Sequence, residues 1–203
     1  MKVVAIPAFA LVAALALPGL AHAQSQPFDG PSVGVQGGWS QDKLENPETD
    51  LGVLAIDTSK DKATFGGFVG YDKSIGNFVI GTEAGFSIGT SDTVSGGPAH
   101  AVATIDPKWS LDLTARAGYL VTPKTLMYAR GGYTNARLDT SLTTPAGMTS
   151  ASENRDGWLV GAGVERSIMP NVSARLEYRY SDLSEGDATF DRHQVLTGIT
   201  YRF

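Results

Sequence analysis

Nine ionisable side chains fall on one side of an alternating pattern in this chain: Glu83, Asp112, Arg116, Arg130, Glu165, Arg175, Glu177, Arg179 and Arg202. Asp72 is a candidate fifth acid. Five cations among four or five acids suit two kinds of chemistry. They could line an ion path or an active site, or they could pair and fill the space between them. The near balance of sign favours pairing, because an isolated buried charge costs several kcal/mol. Nucleophilic chemistry would need a base beside a hydroxyl or thiol. The chain has no cysteine; His100 is followed by Ala101-Val102, and His193 by Gln194-Val195. Neither histidine sits in a His/Ser pair. His193 reads as a strand-end residue, since a lone histidine makes no metal site. No GxxxxGK or HExxH motif occurs, and the acids of 42–62 lack a calcium-loop spacing. The expectation is therefore no catalytic residue, no metal, no cofactor, and a protein that is not an enzyme.

The elements that must hold these charges are strands. Apolar residues alternate with polar ones along most of the chain, and helical periodicity is weak. Segment 108–121 shows this well. Trp109, Leu111, Leu113, Ala115, Ala117 and Tyr119 share one parity, and Ser110, Asp112, Thr114, Arg116 and Gly118 the other. In a strand these sets face opposite ways. Eight segments read so: 32–41, 63–73, 77–88, 108–121, 125–137, 157–167, 171–182 and 193–203. Their length suits a tilted bilayer crossing of about 9–11 residues better than a soluble strand of about 5–6. Short connections with turn chemistry (Lys73–Asn77, Thr122–Lys124, Ile168–Asn171) alternate with long ones at 42–62, 89–107, 138–156 and 183–192. An even strand number with tight turns at one end and long loops at the other predicts an all-β fold, an eight-stranded antiparallel up-and-down transmembrane β-barrel.

The apolar parity carries aromatics at matching heights. Trp39, Phe65, Phe86, Trp109, Tyr133, Trp158 and Tyr180 lie near the long-loop end, and Tyr71, Phe78, Tyr119, Tyr201 and Phe203 near the short-turn end. Two such girdles mark the two faces of a bilayer. A soluble β-sandwich would scatter these residues. The other parity, with the charges, faces a narrow interior that side chains fill; Phe68 is a large apolar exception there.

Composition agrees. Apolar residues make up 42%, too many for a disordered chain. A net charge of −5 leaves no footprint for nucleic acid, and the absent cysteines exclude a disulfide framework or thiolate zinc site. A mean hydropathy of −0.07 excludes a helical bundle, but not a barrel, whose strands show lipid only every second residue. The acidity sits in the long connections: 42–62 carries six acids and three lysines, net −3, and each of the other three is −2. Residues 1–23 read as a cleaved secretory signal rather than a membrane anchor. Lys2 is followed by an apolar run broken at Pro7 and Pro18, then Ala21-His22-Ala23. The barrel domain would be 24–203, exported to the bacterial outer membrane.

Several stretches resemble a known family. They are Phe28-Asp29-Gly30-Pro31, Gly66-Gly67-Phe68-Val69-Gly70-Tyr71, Gly76-Asn77-Phe78-Val79-Ile80-Gly81-Thr82-Glu83, Leu176-Glu177-Tyr178-Arg179-Tyr180-Ser181-Asp182-Leu183 and the ending Gly198-Ile199-Thr200-Tyr201-Arg202-Phe203. In their order they resemble the small outer-membrane β-barrel family, porin-family or OmpA-like and opacity-protein-like. The resemblance implies an eight-stranded barrel with an interior Glu/Arg network, and a C-terminal assembly signal in Tyr201 and Phe203. It implies as partners outer-membrane lipid and lipopolysaccharide, with the barrel-assembly machinery and periplasmic chaperones during biogenesis. The peptidoglycan-binding domain of larger OmpA proteins is expected to be absent.

Three functions follow as expectations. The first is a non-enzymatic barrel that supports envelope integrity and presents four acidic loops (42–62, 89–107, 138–156 and 183–192) for adhesion or host interaction. The second is a low-conductance pore for ions or small solutes, for which interior glycines such as Gly34, Gly81 and Gly198 leave space. The third and most remote is an outer-membrane lipid-modifying enzyme.

Overall fold

The computed structural model describes residues 27–45, 48–49, 52–53, 57–89, 102–144, 147–183 and 189–203. The strands are β1 (Gly30–Glu45), the short pair β2 (Glu48–Thr49) and β3 (Gly52–Val53), β4 (Asp57–Ile75), β5 (Phe78–Gly89), β6 (Val102–Thr122), β7 (Thr125–Thr144), β8 (Gly147–Met169), β9 (Val172–Asp182) and β10 (Thr189–Arg202). Eight of them close a barrel in the order β1-β10-β9-β8-β7-β6-β5-β4. Every neighbouring pair is antiparallel, and β1 closes the barrel by pairing with both β10 and β4. Closure removes the edges that an open sheet would leave unpaired.

Each of the eight segments read from the sequence coincides with one of these strands, with Asn77, Asn171 and Phe203 falling one residue outside. Tight turns join them where expected. Ile75 pairs with Phe78 across a two-residue turn, in which Gly76 takes φ +62°, a left-handed conformation that glycine adopts without steric cost. The other two short turns join β6 to β7 at 123–124 and β8 to β9 at 170–171.

The long connections require a correction. Much of 42–62, 89–107 and 138–156 is strand rather than loop, as β1, β4, β6, β7 and β8 run on past the apolar alternation. In β7 and β8 the register continues unbroken from Tyr133↔Trp158 to Thr144↔Gly147. The sequence pattern ends earlier because it records lipid contact, whereas backbone pairing between antiparallel strands needs no apolar face. Thr and Ser dominate Leu138–Thr144, and threonine suits an extended backbone. The expected signal at 1–23 and His100 lie outside the described residues.

Burial alternates strictly along β5 and β9. One parity faces out, including Val35, Phe65, Leu113 and Leu176, all exposed. The other faces a packed interior. Phe68, the apolar exception, lies over Gly34, where a Cβ would overlap its ring. The Arg175 guanidinium stacks on the same ring, 3.5 Å from its centroid. Glycine is thus required at 34 by close approach, and its absence of side chain seats both Phe68 and Arg175. Gly34→Val should force Phe68 off its seat and destabilise the barrel by about 1–3 kcal/mol, as overpacking does. The urea midpoint for loss of the compact, heat-modifiable band on a gel checks this; an unchanged midpoint contradicts it.

Candidate functional site

The interior is layered from the turn end upward. Lowest is an apolar plug of Phe28, Val79, Leu120, Leu126 and Tyr128. Phe28 comes from the segment before β1 and is fully buried. It is tied in place on three sides. Ser74 Oγ donates to the Phe28 carbonyl at 3.2 Å. Arg202 Nη1 donates to the Pro27 carbonyl at 2.8 Å, and its guanidinium lies 5.4 Å from the Phe28 ring centroid. Asp29 pairs with Lys73 at 2.9 Å.

Above the plug sits a four-residue ion cluster. Arg116 reaches Asp72 at 2.5 Å and Glu165 at 2.9 Å. Arg202 reaches the same two acids at 2.9 and 3.3 Å. Ser173 Oγ donates to Glu165 at 2.5 Å. The next cluster holds three acids and three cations. Glu83 accepts from Arg130 at 2.8 Å and Arg175 at 2.7 Å, and Arg175 also donates to Gln36 at 2.5 Å. Glu177 pairs with Arg130 at 3.1 Å and Arg179 at 2.7 Å, and accepts the Tyr128 hydroxyl at 2.6 Å. Arg179 reaches Asp112 at 2.8 Å, which also accepts from Thr134 at 2.7 Å.

The structure therefore brings all nine sequence-selected charges together, with Asp72 as the fifth acid. Five cations face five carboxylates, and all ten side chains are buried. Close pairing and several hydrogen bonds to each acid are what let charges stand in a low-dielectric interior, although Arg130 Nη2, Arg175 Nε and Arg202 Nε are buried without a hydrogen-bond partner. Sequence reasoning missed Tyr128, Gln36, Thr134 and Ser173. Their parity pointed inward, but neutral side chains gave no signal that they would complete the network. Phe28 was missed because it precedes the first alternating segment.

A third ion group crowns the interior. Asp42 pairs with Lys62 and with Arg192 at 2.8 Å. These three residues were read as parts of the exposed connections 42–62 and 183–192. All three are buried, because β1, β4 and β10 carry the barrel wall above Trp39 and their inward parity continues there. Beside them is a small apolar cluster of Ala136, Leu183 and Phe190, with Arg192 5.3 Å from the Phe190 ring centroid.

The aromatic residues selected from the sequence lie on the outward parity. Trp39, Phe65, Phe86, Tyr133 and Trp158 are exposed near one end, with Trp109 and Tyr180 half-buried there; Tyr71, Phe78, Tyr119, Tyr201 and Phe203 are exposed near the other. Phe78 and Tyr119 are opposite in register, with ring centroids 5.2 Å apart; Tyr201 and Phe203 make a similar edge contact at 5.1 Å.

The closed eight-stranded barrel is thus largely apolar outside and ionic inside. Residues 8–203 match the model of the outer membrane protein beta-barrel domain. The chain belongs to this family. This outer membrane β-barrel protein is 32% identical over 150 residues to the 22 kDa outer membrane protein of Rhizobium leguminosarum bv. viciae, covering 68% of this chain and 66% of that one. It is 26% identical to the 31 kDa outer-membrane immunogenic protein of Brucella melitensis biotype 1, covering 98% and 93%. Among solved structures, Ail of Yersinia pestis in complex with the heparin analogue sucrose octasulfate aligns with a TM-score of 0.54 at 15% identity, over 86% of this chain and 99% of that one. That likeness concerns the fold. The outer membrane β-barrel protein is located in the bacterial outer membrane.

Two outcomes test the network. Arg116→Met leaves Asp72 and Glu165 sharing Arg202 alone, and should cost about 3–5 kcal/mol in urea unfolding. Arg116→Met with Glu165→Met keeps the Asp72–Arg202 pair and should lose clearly less; an equal or larger loss would show that charge balance is not what matters. The second concerns Asp42, three residues beyond Trp39. Burial pushes its pKa up, but the charges and hydrogen bonds of Arg192 and Lys62 outweigh this and hold it below the ordinary 3.8. A depressed folded pKa means that its stabilisation is full above pH 3.8 and fades as pH falls through the lower folded value. The stability gap between wild type and Asp42→Asn should therefore be constant above that pH and shrink below it, which acid-dependent urea midpoints measure.

Proposed function

We propose that this protein is a non-enzymatic, closed outer-membrane barrel that supports the envelope and displays its upper connections to the exterior. The observation that carries this reading is the filled interior. An apolar plug lies at the turn end, two ion clusters occupy the middle, and the Asp42–Lys62–Arg192 group stands with Phe190 at the other end. With side chains across the bore at each level, the described residues leave the outside of the molecule as the place to meet partners. The acidic connections 42–62, 89–107, 138–156 and 183–192, apart from the buried Asp42, Lys62 and Arg192, are the surface offered for adhesion or host contact, and the relatives named immunogenic outer-membrane proteins support exposure of such parts. A cleaved signal at 1–23, recognition of Tyr201 and Phe203 by the barrel-assembly machinery, escort by periplasmic chaperones, and the two aromatic bands as membrane girdles belong to the same proposal.

Replacing residues 90–101 by a short turn tests it. The barrel should remain heat-modifiable and reach the outer membrane, while attachment of cells to a host-cell monolayer or extracellular-matrix coating falls at least several-fold. Unchanged attachment after replacement of 90–101, 46–56 and 184–188 together would sink the display role. In planar bilayers the wild-type protein should give no steady single-channel conductance. Steady conductance would favour the small pore instead.

A further inference from the structure

Most neighbouring strands in the barrel wall are consecutive barrel strands of the chain. The exception is the seam between β1 and β10, which begins at Ser32↔Arg202 and has no turn to hold it. The residues just before β1 gather at the turn end of this seam. The Phe28 ring reaches away from its own strand. It clusters with Val79 on β5, Leu120 on β6, and Leu126 and Tyr128 on β7, whereas β1 pairs with β10 and β4. The backbone beside the ring is held from both flanks of β1. From β10, Arg202 Nη1 donates to the Pro27 carbonyl at 2.8 Å. From β4, Ser74 Oγ donates to the Phe28 carbonyl at 3.2 Å, and Lys73 pairs with Asp29 at 2.9 Å. Gly30, at φ +107°, turns the chain from this plug into the wall. A Cβ there would lie 3.3 Å from the Phe203 carbonyl oxygen. The Phe203 N–H in turn donates to the Pro31 carbonyl at 3.1 Å.

We propose that residues 27–29 form a latch that engages only after the β1–β10 seam has closed, and then keeps it shut. The order follows from where the partners lie. The ring's pocket belongs to β5–β7, whose hairpins form without the seam. The Pro27 and Phe28 carbonyls need Arg202 and Ser74, which lie on opposite flanks of β1 and come together there only in the closed barrel. Arg202 itself bridges those flanks, reaching Asp72 on β4 at 2.9 Å as well as Pro27. Burying the ring is favourable, but the carbonyls carried in with it need donors, since an unpaired buried carbonyl costs free energy. Ring burial and the two carbonyl bonds are thus one cooperative event that belongs to the closed state. Contacts made after the folding transition state leave the folding rate alone and slow unfolding. The latch therefore lengthens the life of the closed barrel without hastening its formation. It lies at the end opposite the acidic connections, so its failure would leave the proposed display role untouched.

The test uses protein purified from outer membranes, unfolded in urea and refolded into phosphatidylcholine vesicles. The compact, heat-modifiable band is followed in time in both directions. Phe28→Ala should speed unfolding about ten- to a hundredfold, the scale of a buried ring lost from the native side of the barrier, and leave the refolding rate within about twofold. Phe28→Leu, which keeps most of the apolar volume, should recover most of the lifetime. Ser74→Ala should speed unfolding about three- to fivefold on its own, as the loss of one hydrogen bond does. In the Phe28→Ala background it should add nothing, because an unlatched segment no longer offers its carbonyl to Ser74. If Phe28→Ala does not refold, Phe28→Val takes its place, with a smaller acceleration and a correspondingly reduced Ser74→Ala effect. A refolding rate that falls in proportion to the lost stability, an unfolding rate that Phe28→Ala does not change, or a Ser74→Ala effect of equal size in both backgrounds would overturn the latch.

Discussion

Closure of the sheet is the constraint on which the rest of this structure depends. A strand in hydrocarbon cannot leave its backbone N–H and C=O groups unpaired, because no water is there to receive them. The first barrel strand, β1, must therefore find the last, β10, and it does so over a register from Ser32↔Arg202 to Glu45↔Thr189. With eight strands the resulting bore is narrow, and side chains rather than water must fill it. Every inward position becomes a core position, whatever its polarity.

That consequence explains the peculiar core. Apolar residues are needed outside, so the inward parity is free to be charged, and it is made neutral by pairing. Five guanidinium groups meet five carboxylates, each acid serving more than one donor. Aromatic rings take part on the same terms. Phe68 seats Arg175, Phe28 lies beside Arg202 and Phe190 beside Arg192. Each ring fills volume and offers a negative face to a cation that has lost some of its water. Phe28 and Phe190 also close the ionic layers at opposite ends, so that bulk solvent is held away from pairs that it would weaken.

A bore occupied in this way is the ground for the exterior role proposed above. The upper end differs from the lower in two respects, each tied to the strands that run on past the upper aromatic band. Inward residues of those extensions bury the Asp42–Lys62–Arg192 group, and the outward residues at their base carry the Trp158–Tyr180–His193–Tyr178 cluster. The wall that carries the acidic connections is thus braced from within and faced with rings on one side, whereas the lower end is finished by tight turns.

Much of this was legible in the chain itself. A two-residue period assigns each side chain to a face without knowledge of neighbours, so Arg116, Arg130, Glu165 and Glu177 could be placed inside, and Trp158 and Tyr119 outside, from parity alone. Gly76 and the prolines at 123 and 170 marked the turns for equally local reasons. Only the tertiary structure decided which charge meets which. Arg175 pairs with Glu83 across 92 residues and Arg192 with Asp42 across 150. Such pairings depend on the stagger between strands and on how far each side chain reaches across the bore, neither of which is written in a local period. The same holds for Phe28, which lies before the first strand and is recruited by the open lower mouth, and for Asp42 and Lys62. Their charge reads as solvent-exposed in the sequence, but the barrel wall rises around them. Periodicity determines the face of a residue; closure of the sheet determines its company.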